Sequence, residues 1–161
     1  VATFVDFEHR IIPDEISIGG MFAGMALSLV IPALHDVQPG PDQHVVITHA
    51  KSLGLSFMGA LIGGGSIYLM GLLGDVIFKK ESMGGGDVKF LAMVGAFMGW
   101  QLALLTFFIA PFFGAVYGVI EKIRTKDSAI AYGPFLVIGA LISLFWGQDI
   151  IDWIMRGYQF S

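Results

Sequence analysis

Apolar runs approaching twenty residues recur along this 161-residue chain, and they restrict what it can fold into more than any other feature. A bilayer core holds no water to satisfy backbone N–H and C=O groups. Chains that cross it therefore do so as helices, which satisfy their own backbone, or as closed barrels. Runs of this length suit helices, because a membrane strand needs only about ten residues. Charged residues make up 14% of the chain, against about 25% in an ordinary soluble domain. The fold class that follows is all-α: a polytopic helical membrane protein, a bundle of about six transmembrane segments. The absence of cysteine excludes disulfides, thiolate zinc sites and cysteine nucleophiles. The formal charge of −4 says little, because charge in such a protein matters by side of the membrane.

Val1 to Val5 reads as the tail of a helix whose start is missing. A polar connector with Asp6, His9, Pro13 and Asp14 follows, and Asp14 is placed as N-cap of a helix over about Ile16 to Leu34. A loop rich in Pro, Gly and Asp then runs from about His35 to His49. Further apolar segments cover about Ser52–Phe78, Phe90–Trp100, Leu102–Ile120 and Ile130–Trp146, with Gln101 near a turn between the third and fourth. Asp149 to Ser161 reads as an amphipathic tail, with Trp153 and Tyr158 as interfacial anchors. Small residues recur at four-residue spacing, as in Gly20/Gly24, Gly59/Gly63, Gly95/Gly99 and Gly114/Gly118, a pattern that lets helix backbones approach closely in lipid.

When the connectors alternate between sides, one side receives Arg10, Lys79, Lys80, Lys89, Lys122, Arg124 and Lys126. The other receives Lys51 and Arg156. Basic residues gather on the cytoplasmic side, so the connectors bearing Asp6 and Asp87 are expected to face the cytoplasm.

The stretch Glu81-Ser-Met-Gly-Gly-Gly-Asp-Val-Lys-Phe90 departs from the apolar pattern. Each glycine costs roughly 1 kcal/mol in a helix interior relative to alanine, so Gly84, Gly85 and Gly86 predict a break in the helix. Asp87 lies just past it. A carboxylate there is either a helix cap or a working group. Asp6 ends one apolar segment and Asp87 begins another, both at the same membrane boundary. Two carboxyl groups brought close together share a proton, because they cannot easily both ionise. Such a pair supplies a base to activate water and an acid to protonate a departing amine.

Several stretches together carry a resemblance. They are Asp6 with His9 and Ile12-Pro13-Asp14, then Gly84-Gly85-Gly86-Asp87-Val88-Lys89, Gly95-Ala96-Phe97-Met98-Gly99-Trp100 and Tyr132-Gly133-Pro134-Phe135. In this order the chain resembles the bacterial type IV prepilin peptidases, membrane aspartyl proteases of the Gly-x-Gly-Asp type. The resemblance implies one membrane-embedded peptidase domain over residues 1–161, truncated at its N-terminus, in the bacterial inner membrane. It implies catalytic roles for Asp6 and Asp87, and cleavage of prepilins or pseudopilins at the cytoplasmic face, before their apolar helix. Gly84, Gly85, Gly86 and Lys89 would form the supporting loop, with Asp14 and Glu81 as candidate substrate contacts. The implied partners are the prepilin and the lipid bilayer, with no nucleic acid and no metal. Proteolysis calls for no cofactor. Many members also methylate the new N-terminus with S-adenosylmethionine and carry a Cys-x-x-Cys segment. The resemblance covers the peptidase part only, so S-adenosylmethionine enters only if methyl transfer is retained.

Simpler readings stand beside these. Asp14 is a cap, Glu81 a solvated charge, Lys89 a lysine of the positive side and Asp75 an interfacial residue. His35, Asp36, Asp42, His44 and His49 share the outer loop, but their spacing matches no metal-ligand pattern. Two rival functions remain: a preflagellin-type protease of the same chemistry, and a small proton-coupled transporter. A transporter should carry polar groups at mid-membrane. Here the mid-span positions are almost wholly apolar or small, which favours the protease.

Overall fold

The computed structural model describes residues 14–35, 37, 45–78, 84–125 and 132–158. Among the described residues there are four α-helices: α1, Asp14–Val30; α2, Val45–Phe78; α3, Gly85–Thr125; and α4, Gly133–Tyr158. A short 3₁₀ turn, Pro32–His35, follows α1. Among the described residues, three helices are long and apolar enough to cross a membrane, over Val45–Ile77, Gly85–Tyr117 and Gly133–Gly157, and Ile16–Val30 is a shorter apolar helix.

The side chains are arranged as lipid requires. Ser17, Ser28, Ser52, Ser56, Thr106 and Ser143 are fully buried, while Leu61, Leu69, Val76, Phe108, Phe112 and Phe145 face outwards. In water this would be inside out. In a bilayer large apolar groups lose nothing by facing the tails, and small residues inside let backbones come close. Ser56 shows the use of the small polar groups: its hydroxyl donates to the Ala96 carbonyl at 2.7 Å and joins α2 to α3. The apolar core gathers Ile67, Phe90, Leu91, Val94, Phe107, Ala110, Phe135 and Leu136 from α2, α3 and α4.

The four-residue glycine pairs mark where the helices cross. A Cβ built on Gly59 would strike the Gly95 carbonyl, and one built on Gly95 would strike the Gly59 carbonyl. The two backbones touch there and leave no room for any side chain. Gly24 faces the Ala96 and Phe97 side chains more loosely, and Gly114 lies at ordinary contact distance from the Phe135 ring.

α3 is interrupted at Gly99, whose φ of 81° and ψ of 170° fall in a region open essentially to glycine alone. The chain turns back on itself there. A Cβ on Gly63 would lie 2.5 Å from the Leu91 carbonyl oxygen and 3.3 Å from the Ala103 Cβ. In a straight helix twelve residues span about 18 Å, so both can neighbour one point only if the two arms run side by side. The expected turn near Gln101 therefore exists and is centred on Gly99.

Other boundaries differ from expectation for local reasons. α1 stops at Val30 rather than Leu34, because Pro32 cannot continue the hydrogen-bond ladder. α2 is already helical at Val45, seven residues ahead of Ser52, so His49 belongs to a helix and not to the loop. Its Nδ1 bonds the Leu29 carbonyl, one of those that the end of α1 leaves without a helical partner. His35 meets Ser28 at 2.8 Å. The two histidines thus have separate partners at the end of α1. The residues expected to form an amphipathic tail continue α4 as far as Tyr158.

Candidate active site

Asp87 is the third residue of α3, and its backbone N–H closes the first turn onto the Gly84 carbonyl at 3.1 Å. Of the three glycines expected to break the helix, Gly84 precedes it, whereas Gly85 and Gly86 form its first two positions. A carboxylate in the first turn is stabilised by the unpaired N–H groups and by the positive end of the helix dipole. That accounts for Asp87 as a cap. It does not account for its burial. Asp87 is only 8% exposed, at the start of a helix that continues as Phe90, Leu91 and Val94 of the core. A cap needs no such burial, and carboxylates are almost never this enclosed unless paired or working.

Lys89 is partly buried two residues on, while Gly84 and Gly85 are exposed. Val88 and Ala92 continue from Asp87 into an apolar groove of about 380 Å³ between α1, α2 and α3, bordered by Met21, Met25, Phe57 and Tyr68. Asp14 opens α1, as expected of a residue at that helix start. Asp6, His9 and Glu81 lie outside the described residues, and so does any meeting of Asp6 with Asp87. Among the described residues no three His, Asp or Glu side chains gather as metal ligands.

Tyr132 carries a further buried polar group to which the sequence assigned no role. It stands immediately before α4, and its carbonyl accepts from the Phe135 and Leu136 N–H groups at 3.1 and 3.2 Å. Pro134 fits the first turn because no helical bond is asked of its nitrogen there. The Tyr132 ring is partly buried against the core. Its hydroxyl oxygen is buried with no hydrogen-bond partner among the described residues. Burial, and after it the negative charge of Asp87, push this phenol well above the usual tyrosine range. The sequence signal was present: a phenol set just before Gly-Pro at a helix start, on the same side as Asp87.

The fold and site define a class: a helical membrane protein with a buried carboxylate at the mouth of a helix that opens on glycines. The Type IV leader peptidase family matches residues 1–119, and the chain belongs to that family. It is 32% identical over 158 residues to a prepilin leader peptidase/N-methyltransferase of Legionella pneumophila, covering 96% of this chain and 49% of that protein. To the protein of the same name from Pseudomonas aeruginosa it is 31% identical over 151 residues, 92% of this chain and 46% of the relative. The Aeromonas hydrophila protein of that name is 26% identical over 159 residues, 97% and 49% respectively. The chain thus spans about half the length of the curated relatives it matches. No solved structure matches.

Proposed function

We propose that this chain is the proteolytic part of a prepilin leader peptidase: a membrane aspartic endopeptidase that removes the basic leader from type IV prepilins or pseudopilins at the cytoplasmic face of the bacterial inner membrane. One observation carries the reading. In a member of this family, Asp87 is buried at the mouth of an apolar helix, where a substrate cut just ahead of its own apolar helix would present the scissile bond. Asp6 is the second carboxyl group, and the pair shares one proton. The ionised member takes a proton from water, the water oxygen attacks the scissile carbonyl, and the protonated member gives its proton to the departing amine. The groove beginning at Val88 offers the substrate's apolar helix a surface beside Asp87. The described helices, with the two arms of α3 counted separately, make five apolar segments of the proposed bundle of about six. The second activity in the relatives' names, methyl transfer, is assigned to none of these residues.

The direct test is incubation of the purified protein with a prepilin and with a preflagellin, reading the cut by mass spectrometry. A single cut at the leader junction of the prepilin supports the reading. Exclusive cutting of the preflagellin moves the protein to the rival substrate class, and no cut in either overturns the proposal.

Substitution at Gly86 gives a second expectation. In a helix valine costs somewhat less than glycine, so Gly86→Val should leave folding nearly unchanged. If a peptide lies against this first turn, the added side chain meets it. Cleavage should then fall about tenfold or more, equivalent to roughly 1.4 kcal/mol or more of lost transition-state binding. A normal rate for the folded variant would leave the glycine without a role in substrate approach.

A further inference from the structure

The groove beside Asp87 has a direction, and the contacts between α2 and α3 give it. Gly59 meets Gly95, and four residues further along α2 Gly63 meets Leu91, four residues back along α3. The two helices therefore run antiparallel there, and one more step of four brings Ile67 level with Asp87. Tyr68, the next residue, lines the groove together with Val88. One end of the groove is thus level with the candidate catalytic carboxylate. Leu61 and Phe57 carry it away from that end along one face of α2, since seven and eleven residues are close to two and three whole turns. Eleven residues of helix span about 17 Å, rather more than half of a hydrocarbon core of about 30 Å.

The lining defines what fits. Its side chains are apolar apart from the phenol of Tyr68, and its floor is Ala60, Gly64 and Gly65. A Cβ built on Gly65 meets nothing within 4 Å, so the floor is open for another helix to come close. Met21 and Met25 form the wall on the α1 side. Methionine is flexible and polarizable, and it repacks around different partners. We propose that this groove holds the first three turns of the substrate's apolar helix, with the cut end at Tyr68 and the chain running towards Phe57. This placement rests on the proposed peptidase activity and adds to it the register in which the substrate lies. Register matters, because a helix held along its length brings only one peptide bond level with Asp87. The same lining gives tolerance. Adaptable methionines over a glycine floor recognise an apolar helix by shape and not by sequence, which suits one enzyme to several prepilins and pseudopilins.

The chain contains no cysteine, so single introduced cysteines report contacts without background from its own thiols. Asp87→Asn protein receives one further change, Tyr68→Cys, Leu61→Cys or Phe57→Cys. It is mixed in lipid vesicles with a prepilin whose only cysteine is moved residue by residue along its apolar helix. Mild oxidation links pairs whose Cβ atoms come within about 4.5 Å, and non-reducing gels measure the yield. Tyr68→Cys should link within the first turn after the leader junction. Leu61→Cys should link about seven residues further on and Phe57→Cys about eleven, each with weaker repeats at helical spacing. Gly54→Cys, on α2 but outside the groove, gives the background. Linking no stronger than that background, or a pattern that does not move with the protein's cysteine, overturns the proposal and leaves the groove to lipid tails. The reverse order of positions overturns the stated direction. None of this needs catalysis. If the parent protein cuts prepilin and the pattern is missing, the docking alone fails. If the pattern appears and the parent cuts nothing, the peptidase reading alone fails.

Discussion

Asp87→Asn and Asp6→Asn are each expected to remove most prepilin cleavage, by about 10²–10⁴-fold, the usual contribution of a positioned acid or base. Asparagine keeps the shape of the side chain and can still cap a helix start, so the yield of folded protein should survive. Under the proposed chemistry the two carboxyl groups act on one water and one proton. The double variant should then be little slower than either single one, because groups working as a unit are not additive. The pH profile of the parent should show two apparent pKa values that belong to the pair and not to either residue. Asp14→Asn is the control. Asp14 opens α1, and asparagine caps about as well as aspartate, so the rate should hardly change. Rates come from cleavage of a purified prepilin followed by mass spectrometry. A single variant with near-normal turnover would remove its residue from the pair. If that variant were Asp6→Asn, Asp14 would take its place as the candidate, since it lies in the same connector.

The chemistry of the site was more legible in the residues than its geometry. Glycines before an aspartate before an apolar run place Asp87 at a helix mouth whatever the tertiary fold, because the propensities involved are local. The burial of Asp87 is not local. It depends on α3 packing against its neighbours, and no pattern within ten residues reports that. The reversal in α3 was half legible. Two apolar runs around Gln101 implied a turn, but hydropathy points to the polar Gln101, and only a backbone angle of φ 81° selects Gly99. α2 was read too short because Thr48, His49 and Lys51 look like loop residues. Helical hydrogen bonds are satisfied without regard to side-chain polarity, and His49 is held by the Leu29 carbonyl, a partner twenty residues away. Tyr132 illustrates the same limit. The motif was visible, but a hydroxyl becomes chemically interesting only when burial denies it water, and that burial is tertiary.

Gly59→Val and Gly95→Val are expected to be the most damaging single changes outside the catalytic pair. In the membrane there is little hydrophobic drive to press helices together, so α2 and α3 depend on close backbone approach and on bonds such as Ser56 to Ala96. At this crossing the obstacle to a side chain is the facing carbonyl itself. A clash with a flexible side chain relaxes by a change of rotamer. A clash with backbone relaxes only by moving a helix. Overpacking usually costs about 1–3 kcal/mol, and the backbone contact puts these variants at or above the upper end. The consequence reaches the site, because the arm of α3 displaced by a residue at Gly95 is the arm whose first turn holds Asp87. Both variants should therefore unfold earlier in detergent and also cleave more slowly. Gly65→Ala is the matched control, since a Cβ there meets nothing within 4 Å in the same helix. It should be neutral or slightly stabilising, as alanine is the better helix former. Thermal unfolding of the three variants beside the parent decides the matter. If Gly95→Val unfolds at the same temperature as Gly65→Ala, the two helices do not cross at Gly59 and Gly95, and the placement of Asp87 must rest on other contacts.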